Sequence, residues 1–326
     1  MLELSTTNLL SLAVPGLAIN SLAWVHAWAV THYGSRDRDW LPPDKLPVGD
    51  KVRLALTGKP CPRPENRCTP ADVGLPFQVE RLPAGRQGWL EVWQIPPRDR
   101  ASGVALLFPA YSESKDTLLA TASILHALGY RLLLVDFRGA GGSSGNSTTL
   151  GVREAKDVEI AVRFACRHWP ELPLVLFGMS MGAVAITRAI AHHGVCPDAL
   201  LLECPFDRLL SAVRHRLQVM GVPASGLAEL ILFWGCLQHG HNGFTHSPVD
   251  YVRAIACPTL VMRGSSDPRV SAPEIECVFR AIHSPKQFLE FSGAGHELLA
   301  DYDAKLWRTR VAAFLSEAIV PQTVSC

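Results

Sequence analysis

Excess charge of either sign is missing from this chain. Lys and Arg number 31 and Asp and Glu 30, a net charge of +1 over 326 residues. Nothing here supplies the basic footprint that a nucleic-acid partner needs. Paired cysteines are also missing: the nine are scattered, odd in number and never form Cys-x-x-Cys. That pattern speaks against a zinc ribbon or a disulfide framework and for mostly reduced thiols, with Cys61 and Cys68 as the pair an oxidising site could join. No internal repeat and no low-complexity tract occurs, which sets aside solenoids and long disordered segments. The glycine-rich run Gly139-Ala140-Gly141-Gly142-Ser143-Ser144-Gly145 lacks the Gly-Lys-Ser/Thr ending of a phosphate loop.

Leu4 to Ser35 carries no Asp, Glu, Lys or Arg. Within it, Leu9 to Val30 is mostly apolar and long enough to span a bilayer as a helix. Pro15, Gly16, Asn20, Ser21 and His26 make it a mediocre span, while Trp24, Trp28 and Tyr33 cluster as an interfacial belt would. Basic residues follow at Arg36, Arg38, Lys45, Lys51 and Arg53, against Glu3 before it, so an anchor would leave the bulk of the chain in the cytoplasm. Two other readings compete. One is a packing or oligomerisation helix on a soluble cytoplasmic protein. The other is a signal peptide cleaved near Ala27-Trp28-Ala29, which lacks a basic n-region and would send the protein to the periplasm or outside.

Residues 36–76 are rich in Pro, Gly and charge and read as a linker or an extended wrap over the surface. From Phe77 the pattern changes. Phe77–Leu82 and Trp89–Ile95 alternate apolar and polar, as half-exposed antiparallel strands do. Val104–Phe108, Arg131–Val135, Leu174–Phe177, Ala199–Leu202, Thr259–Met262 and Gln287–Phe291 are apolar runs separated by helical stretches. That alternation predicts an α/β fold: a mostly parallel central sheet with helices on both faces. Glu203 to Pro258 holds helical runs near Asp207–Met220 and Leu227–Leu237 and no strand pattern. A helical cap inserted at about 204–257 in a catalytic domain of 77–320 follows, set over the sheet's C-terminal edge, where such sheets bind ligands. The apolar residues Leu227, Leu230, Ile231, Leu232, Phe233 and Trp234 are either the cap's own core or the lining for a greasy substrate. His239, His241 and His246 crowd the cap as well; without an acidic or cysteine partner at ligand spacing they read as a solvated loop or lid, not a metal site. His192 and His193, at a helix C-terminus, read as imidazolium complementing the helix dipole.

The chemistry centres on Val175-Leu176-Phe177-Gly178-Met179-Ser180-Met181-Gly182-Ala183. An apolar strand enters Gly-x-Ser-x-Gly and a small-residue helix leaves it. In that context the pattern predicts a nucleophile elbow, a sharp turn that lifts the Ser180 hydroxyl above the sheet end. Outside that context the same five residues can be a plain tight turn. A serine needs a base, and the base an orienting acid. Asp267 follows the strand ending at Met262, and His296 follows the strand ending at Phe291, in the chain order Ser, acid, His. Singly, Asp267 could be a turn residue before Pro268 and His296 a loop residue beside Gly295; jointly, three strand-end positions in this order point to nucleophilic catalysis. Glu203 is the rival acid. Asp136 reads instead as a brace for the glycine-rich loop. An oxyanion hole needs two backbone donors: Met181 N–H, and an N–H from Pro109-Ala110-Tyr111-Ser112. Pro109 has none, leaving Ala110 or Tyr111, with Tyr111 preferred.

Gly178-Met179-Ser180-Met181-Gly182, Val135-Asp136-Phe137-Arg138-Gly139, Asp267 and Gly295-His296 carry a resemblance, over about Thr69 to Leu315, to the α/β-hydrolase superfamily. The chain is similar to its bacterial serine-hydrolase branch of fermentation–respiration-switch-type and dienelactone-hydrolase-like esterases. The resemblance implies Ser180 as nucleophile, His296 as base, Asp267 as acid, no metal or organic cofactor, and an N-terminal hydrophobic anchor. One departure is visible: Pro109-Ala110 stands where the family usually has His-Gly ahead of the oxyanion loop. The implied function is hydrolysis of a small-molecule carboxylic ester, lipid-like in the anchored case, with thioester or amide cleavage as the alternative chemistry. A catalytically silent binding scaffold is the alternative from another class.

Overall fold

The computed structural model describes residues 6–35, 46–85 and 88–319. Arg36, Arg38 and Lys45 lie outside them. Two compact units emerge: Met1–Pro62 with Leu209–His246, and Arg63–Arg208 with Ser247–Cys326.

The larger unit is built on one sheet. Its strands are β1 (Gln78–Pro83), β2 (Trp89–Ile95), β3 (Gly103–Phe108), β4 (Tyr130–Val135), β5 (Leu174–Met179), β6 (Ala199–Glu203), β7 (Thr259–Gly264) and β8 (Lys286–Phe291). Among the described residues the spatial order is β1-β2-β4-β3-β5-β6-β7-β8. β2 pairs antiparallel with β1 and β4, and every pair from β4 onward is parallel. Strands β3, β5 and β6 are buried along their whole length, which is why they read as unbroken apolar runs. β1 and β8 lie at the edges; β1 buries Leu82 alone, and β8 alternates exposed and buried over Phe288–Phe291.

The helices in chain order are α1 (Thr6–Thr31), α2 (Val48–Thr57), α3 (Leu119–Ala127), α4 (Glu154–His168), α5 (Met181–His193), α6 (Leu209–Val219), α7 (Leu227–His239), α8 (Pro248–Tyr251), α9 (Ala272–Ala281), α10 (Leu299–Tyr302) and α11 (Ala304–Ala318). Helices cover both faces of the sheet. On one side Leu107, Val175, Phe177, Leu201 and Met262 pack with Ala122, Leu125, Trp307, Val311 and Phe314 of α3 and α11. Each Leu, Val, Phe or Met among them, fully buried, contributes about 1.5–3 kcal/mol of transfer free energy. His192 and His193 depart from the expectation. Desolvation, then Arg188 for the former and Lys156 and Arg188 for the latter, push both imidazoles below their ordinary range, away from the imidazolium form.

The smaller unit joins α1, α2, α6 and α7. Ala23 and Ala27 of α1 are buried with Leu217, Met220, Ala228 and Ile231. Trp24 meets Trp234 edge-on at 5.2 Å, and Gln238 Nε2 donates to the Trp24 carbonyl at 3.0 Å. The expected membrane-spanning anchor is not supported: among the described residues no helix is long and apolar enough to cross a membrane. Side chains at 9–15 of the expected span lie outside the description, and the later part meets α7 through the alanines of its small-residue face. The 36–76 stretch is not all extended either. α2 forms at 48–57 and stops at Gly58, whose left-handed φ of 59° lets its N–H cap the Leu54 carbonyl. None of the eight described cysteines, Cys61 and Cys68 included, is in a disulfide.

Candidate active site

Ser180 sits between β5 and α5 at φ 51°, a left-handed backbone that non-glycine residues rarely adopt. Its flanking glycines are explained by space. A Cβ at Gly178 would fall 2.5 Å from the Ala183 nitrogen, and one at Gly182 2.4 Å from the Phe108 carbonyl oxygen. Only glycine allows the turn to close and α5 to start against the end of β3. The Ser180 N–H donates to the Glu203 carbonyl at 2.8 Å, pinning the turn to β6.

The Asp267 turn follows β7. Its Oδ1 accepts from the backbone N–H groups of Arg269 at 2.7 Å and Val270 at 3.0 Å. The His296 loop follows β8 and lies on the same strand ends: Cβ at Gly264 would meet the Ala294 and Gly295 oxygens at 2.3 and 2.4 Å. Ser265 and Ser266 donate to the Phe291 and Ala294 carbonyls at 2.9 and 2.8 Å, stitching the two loops together. The outcome is a linear relay. His296 Nδ1 lies 2.7 Å from Asp267 Oδ2, and His296 Nε2 lies 3.1 Å from Ser180 Oγ. Burial alone would raise the Asp267 carboxyl. The hydrogen bond and charge of His296, with the Val270 and Arg269 N–H groups, outweigh it and hold the group below its ordinary value. The acid stays ionised, so the Nδ1 proton is the one it accepts, leaving Nε2 to face the serine hydroxyl.

Glu203, the rival acid, is turned elsewhere. Its Oε1 accepts from Trp307 Nε1 at 2.6 Å and its Oε2 from Leu299 N–H at 3.2 Å. It ties the residues just after His296, and α11, to the end of β6. Burial pushes its carboxyl up to about 7 despite those two bonds. Asp136 braces the glycine-rich loop: it accepts from Lys115 N–H and Gly142 N–H at 2.8 and 2.9 Å and from Asn66 Nδ2 at 2.9 Å. It also pairs with the buried Lys115 ammonium, which reaches Glu91 at 3.1 Å and lies over the Trp93 ring at 4.3 Å. Arg63, from the extended stretch, holds the Gly141 and Ser143 carbonyls at 2.8 and 2.7 Å.

Met181 N–H heads α5, where no intrahelical acceptor exists. The loop after β3 runs beside it, because the Phe108 and Pro109 oxygens are the atoms that bound Gly182. In that loop Ser112 is held at φ 61°. Ala110 and Tyr111, the two candidates for the second donor, lie in this loop between Pro109 and Ser112. Burial raises Glu113 above the ordinary carboxylate range, against His296, Thr117 and Arg269. Sequence reasoning missed Glu113, Lys115 and Cys204: each is a lone polar residue in a loop or at a strand end, with partners far away in the chain.

Among the described residues the donor atoms of Cys204, Asp267 and His296 lie within 4.8 Å of one another. The Asp267 and Ser180 contacts already occupy both ring nitrogens of His296, and a metal would have to break one. His239, His241 and His246 do not converge in such a group; His239 stacks on His32 at 5.3 Å.

A family model described as serine aminopeptidase, S33, matches residues 99–229. That stretch contains Ser180 and stops short of Asp267 and His296. The uncharacterized protein Rv2307c of Mycobacterium tuberculosis is 28% identical over 266 residues, covering 77% of this chain and 86% of that protein. The lysophosphatidylserine lipase ABHD12 of Danio rerio is 27% identical over 150 residues, 44% of this chain and 37% of that one. The esterase Pf2001 of Pyrococcus furiosus superposes with a TM-score of 0.63 at 20% identity, over 78% of this chain and 98% of its own. With the strand order and the strand-end loops above, these likenesses support the α/β-hydrolase superfamily, and the chain has the α/β-hydrolase fold.

Proposed function

We propose that the protein is a serine hydrolase that cleaves carboxylic esters through an acyl-enzyme. The observation that carries this reading is the relay itself: one imidazole with Ser180 Oγ at 3.1 Å on one nitrogen and Asp267 at 2.7 Å on the other. As Ser180 Oγ attacks the ester carbonyl, His296 Nε2 takes its proton and Asp267 stabilises the imidazolium. The tetrahedral oxyanion is met by the N–H groups of Met181 and Tyr111. Collapse expels the alcohol, which takes the proton from His296. A water then gives its proton to His296 as it attacks the acyl-serine, and the acid is released with Ser180 restored. Each step uses groups that the chain itself supplies.

The ester reading is supported by a lipase among its relatives, while the family model, described as serine aminopeptidase, keeps amide cleavage as the alternative. The lipase likeness makes a lipid-derived ester the first natural class to assay. The discriminating measurement is kcat/KM on ester, thioester and amide substrates with matched acyl groups, for wild type and Ser180→Ala. The expected outcome is highest kcat/KM on the ester, abolished by the substitution. A higher value on the thioester or amide assigns the alternative chemistry, and Ser180-independent turnover contradicts the reading.

A further inference from the structure

Nothing in the mechanism above uses Cys204, the residue that follows β6. Its backbone is held at φ 47°, a conformation that costs a side-chain-bearing residue of this kind free energy and persists only where the surroundings over-determine it. They do so here. Cys204 N–H donates to the Met262 carbonyl of β7 at 2.9 Å, and the preceding Glu203 carbonyl accepts from Ser180 N–H at 2.8 Å. The thiol hangs from a backbone point shared by the nucleophile's turn and the strand that leads to Asp267. It is fully buried. Its sulfur, an Asp267 carboxylate oxygen and a His296 ring nitrogen lie within 4.8 Å of one another.

Chemistry sets which of these two neighbours, thiol and carboxylate, can donate to the other. An ionised Asp267 can only accept. Burial first, then the charges of Asp267 and Glu203, keep the Cys204 thiol well above its usual range, so the S–H is retained as a donor. Asp267 Oδ1 is already satisfied by Arg269 and Val270 N–H, and Oδ2 by His296. The thiol adds a donor from a third element, the end of β6.

We propose that Cys204 is a positioning residue, whose thiol holds the Asp267 carboxylate at the angle that orients His296 toward Ser180. The inference rests on the serine-hydrolase reading. Removing a neutral donor from Asp267 loosens the relay and leaves more of the carboxylate's charge for the imidazolium. The other charged groups near this cluster are Glu203 on β6, Asp301 acting on Glu203, and Glu113, on which His296 and Arg269 both act. All stay in place in the variants below.

The test compares Cys204→Ala, Cys204→Gly and Cys204→Ser on p-nitrophenyl butyrate across pH, beside labelling of Ser180 by a fluorophosphonate. The glycine variant suits the left-handed backbone and carries the test if the alanine variant does not fold. Loss of the thiol should lower kcat by about three- to ten-fold with KM little changed, and should move the acid limb of kcat/KM upward by about half a pH unit. The serine variant keeps a donor and should stay within about two-fold of wild type. Thiol-free variants with wild-type kcat and pH profile overturn the inference, as does a serine variant as impaired as alanine. If wild type is labelled at Ser180 and the thiol-free variants match it, the inference alone fails. If wild type shows no Ser180-dependent labelling, the hydrolase reading fails and this inference with it.

Discussion

Gly182 lies directly against the Phe108 carbonyl: a Cβ there would sit 2.4 Å from that oxygen and 2.8 Å from the Pro109 oxygen. This contact sets the start of α5 beside the loop after β3, which brings the two proposed oxyanion donors to one place. Gly182→Ala must push the two backbones apart. We expect a loss of about 1–3 kcal/mol in stability from overpacking and at least about a ten-fold fall in kcat from misplaced donors. Urea denaturation and ester kinetics check both, and a variant with wild-type kcat contradicts the placement.

Asp267 is predicted to act by fixing the tautomer and angle of His296. Asp267→Asn keeps the shape but offers an amide where the carboxylate accepted the Nδ1 proton. A fall in kcat on the order of 10³–10⁴ with little change in thermal stability is expected. A loss no greater than a few-fold would mean that another acid serves the histidine.

Glu203 gives the stability curve a pH signature. Its folded-state pKa is raised to about 7 by burial, above the ordinary 4.5. Between those values the native protein holds a proton that the unfolded chain has lost, so this group's contribution falls as pH rises through the window. Glu203→Gln cannot ionise, and the stability of the variant relative to wild type should therefore improve on going from pH 4.5 to pH 7, by on the order of 3 kcal/mol. Denaturant midpoints at several pH values read it out. Parallel curves for the two proteins would contradict the buried, protonated carboxyl.

Lys115 supplies the positive charge between Glu91 and Asp136, and it is buried with them. Lys115→Met leaves the buried Asp136 carboxylate without its cation, and Glu91 with only the exposed Arg81 at 3.9 Å. A loss of about 3–5 kcal/mol is expected, and Lys115→Met with Asp136→Asn should recover part of it. Equal stability of the single and double variants would show that the charge is not what matters.

The sheet was legible where burial made it simple. β3, β5 and β6 are covered on both faces, so their sequences are unbroken apolar runs, and the loops at their ends could be placed by counting. Ser180, Asp267 and His296 meet because the loops after β5, β7 and β8 share one edge. The supporting contacts were not legible in the same way. Nothing local in the sequence says that Glu203 will find Trp307, that Lys115 will be buried under Trp93, or that the Cys204 thiol will face Asp267, since each partnership joins residues far apart in the chain. The N-terminal helix shows the other limit. Hydropathy measures a preference for an apolar medium and not which one, so the alanine face that packs on α7 resembles a face made for lipid. α2 was hidden for a different reason: its boundary is a single left-handed glycine in a stretch otherwise rich in turn residues.

The most direct test of the account is fluorophosphonate labelling of the intact chain, followed by mass spectrometry, for wild type and Ser180→Ala. The account predicts one adduct on wild type, located at Ser180, with ester turnover lost in step with labelling and both absent from the variant. A folded wild-type protein that takes no label, or one labelled and active without Ser180, would contradict it.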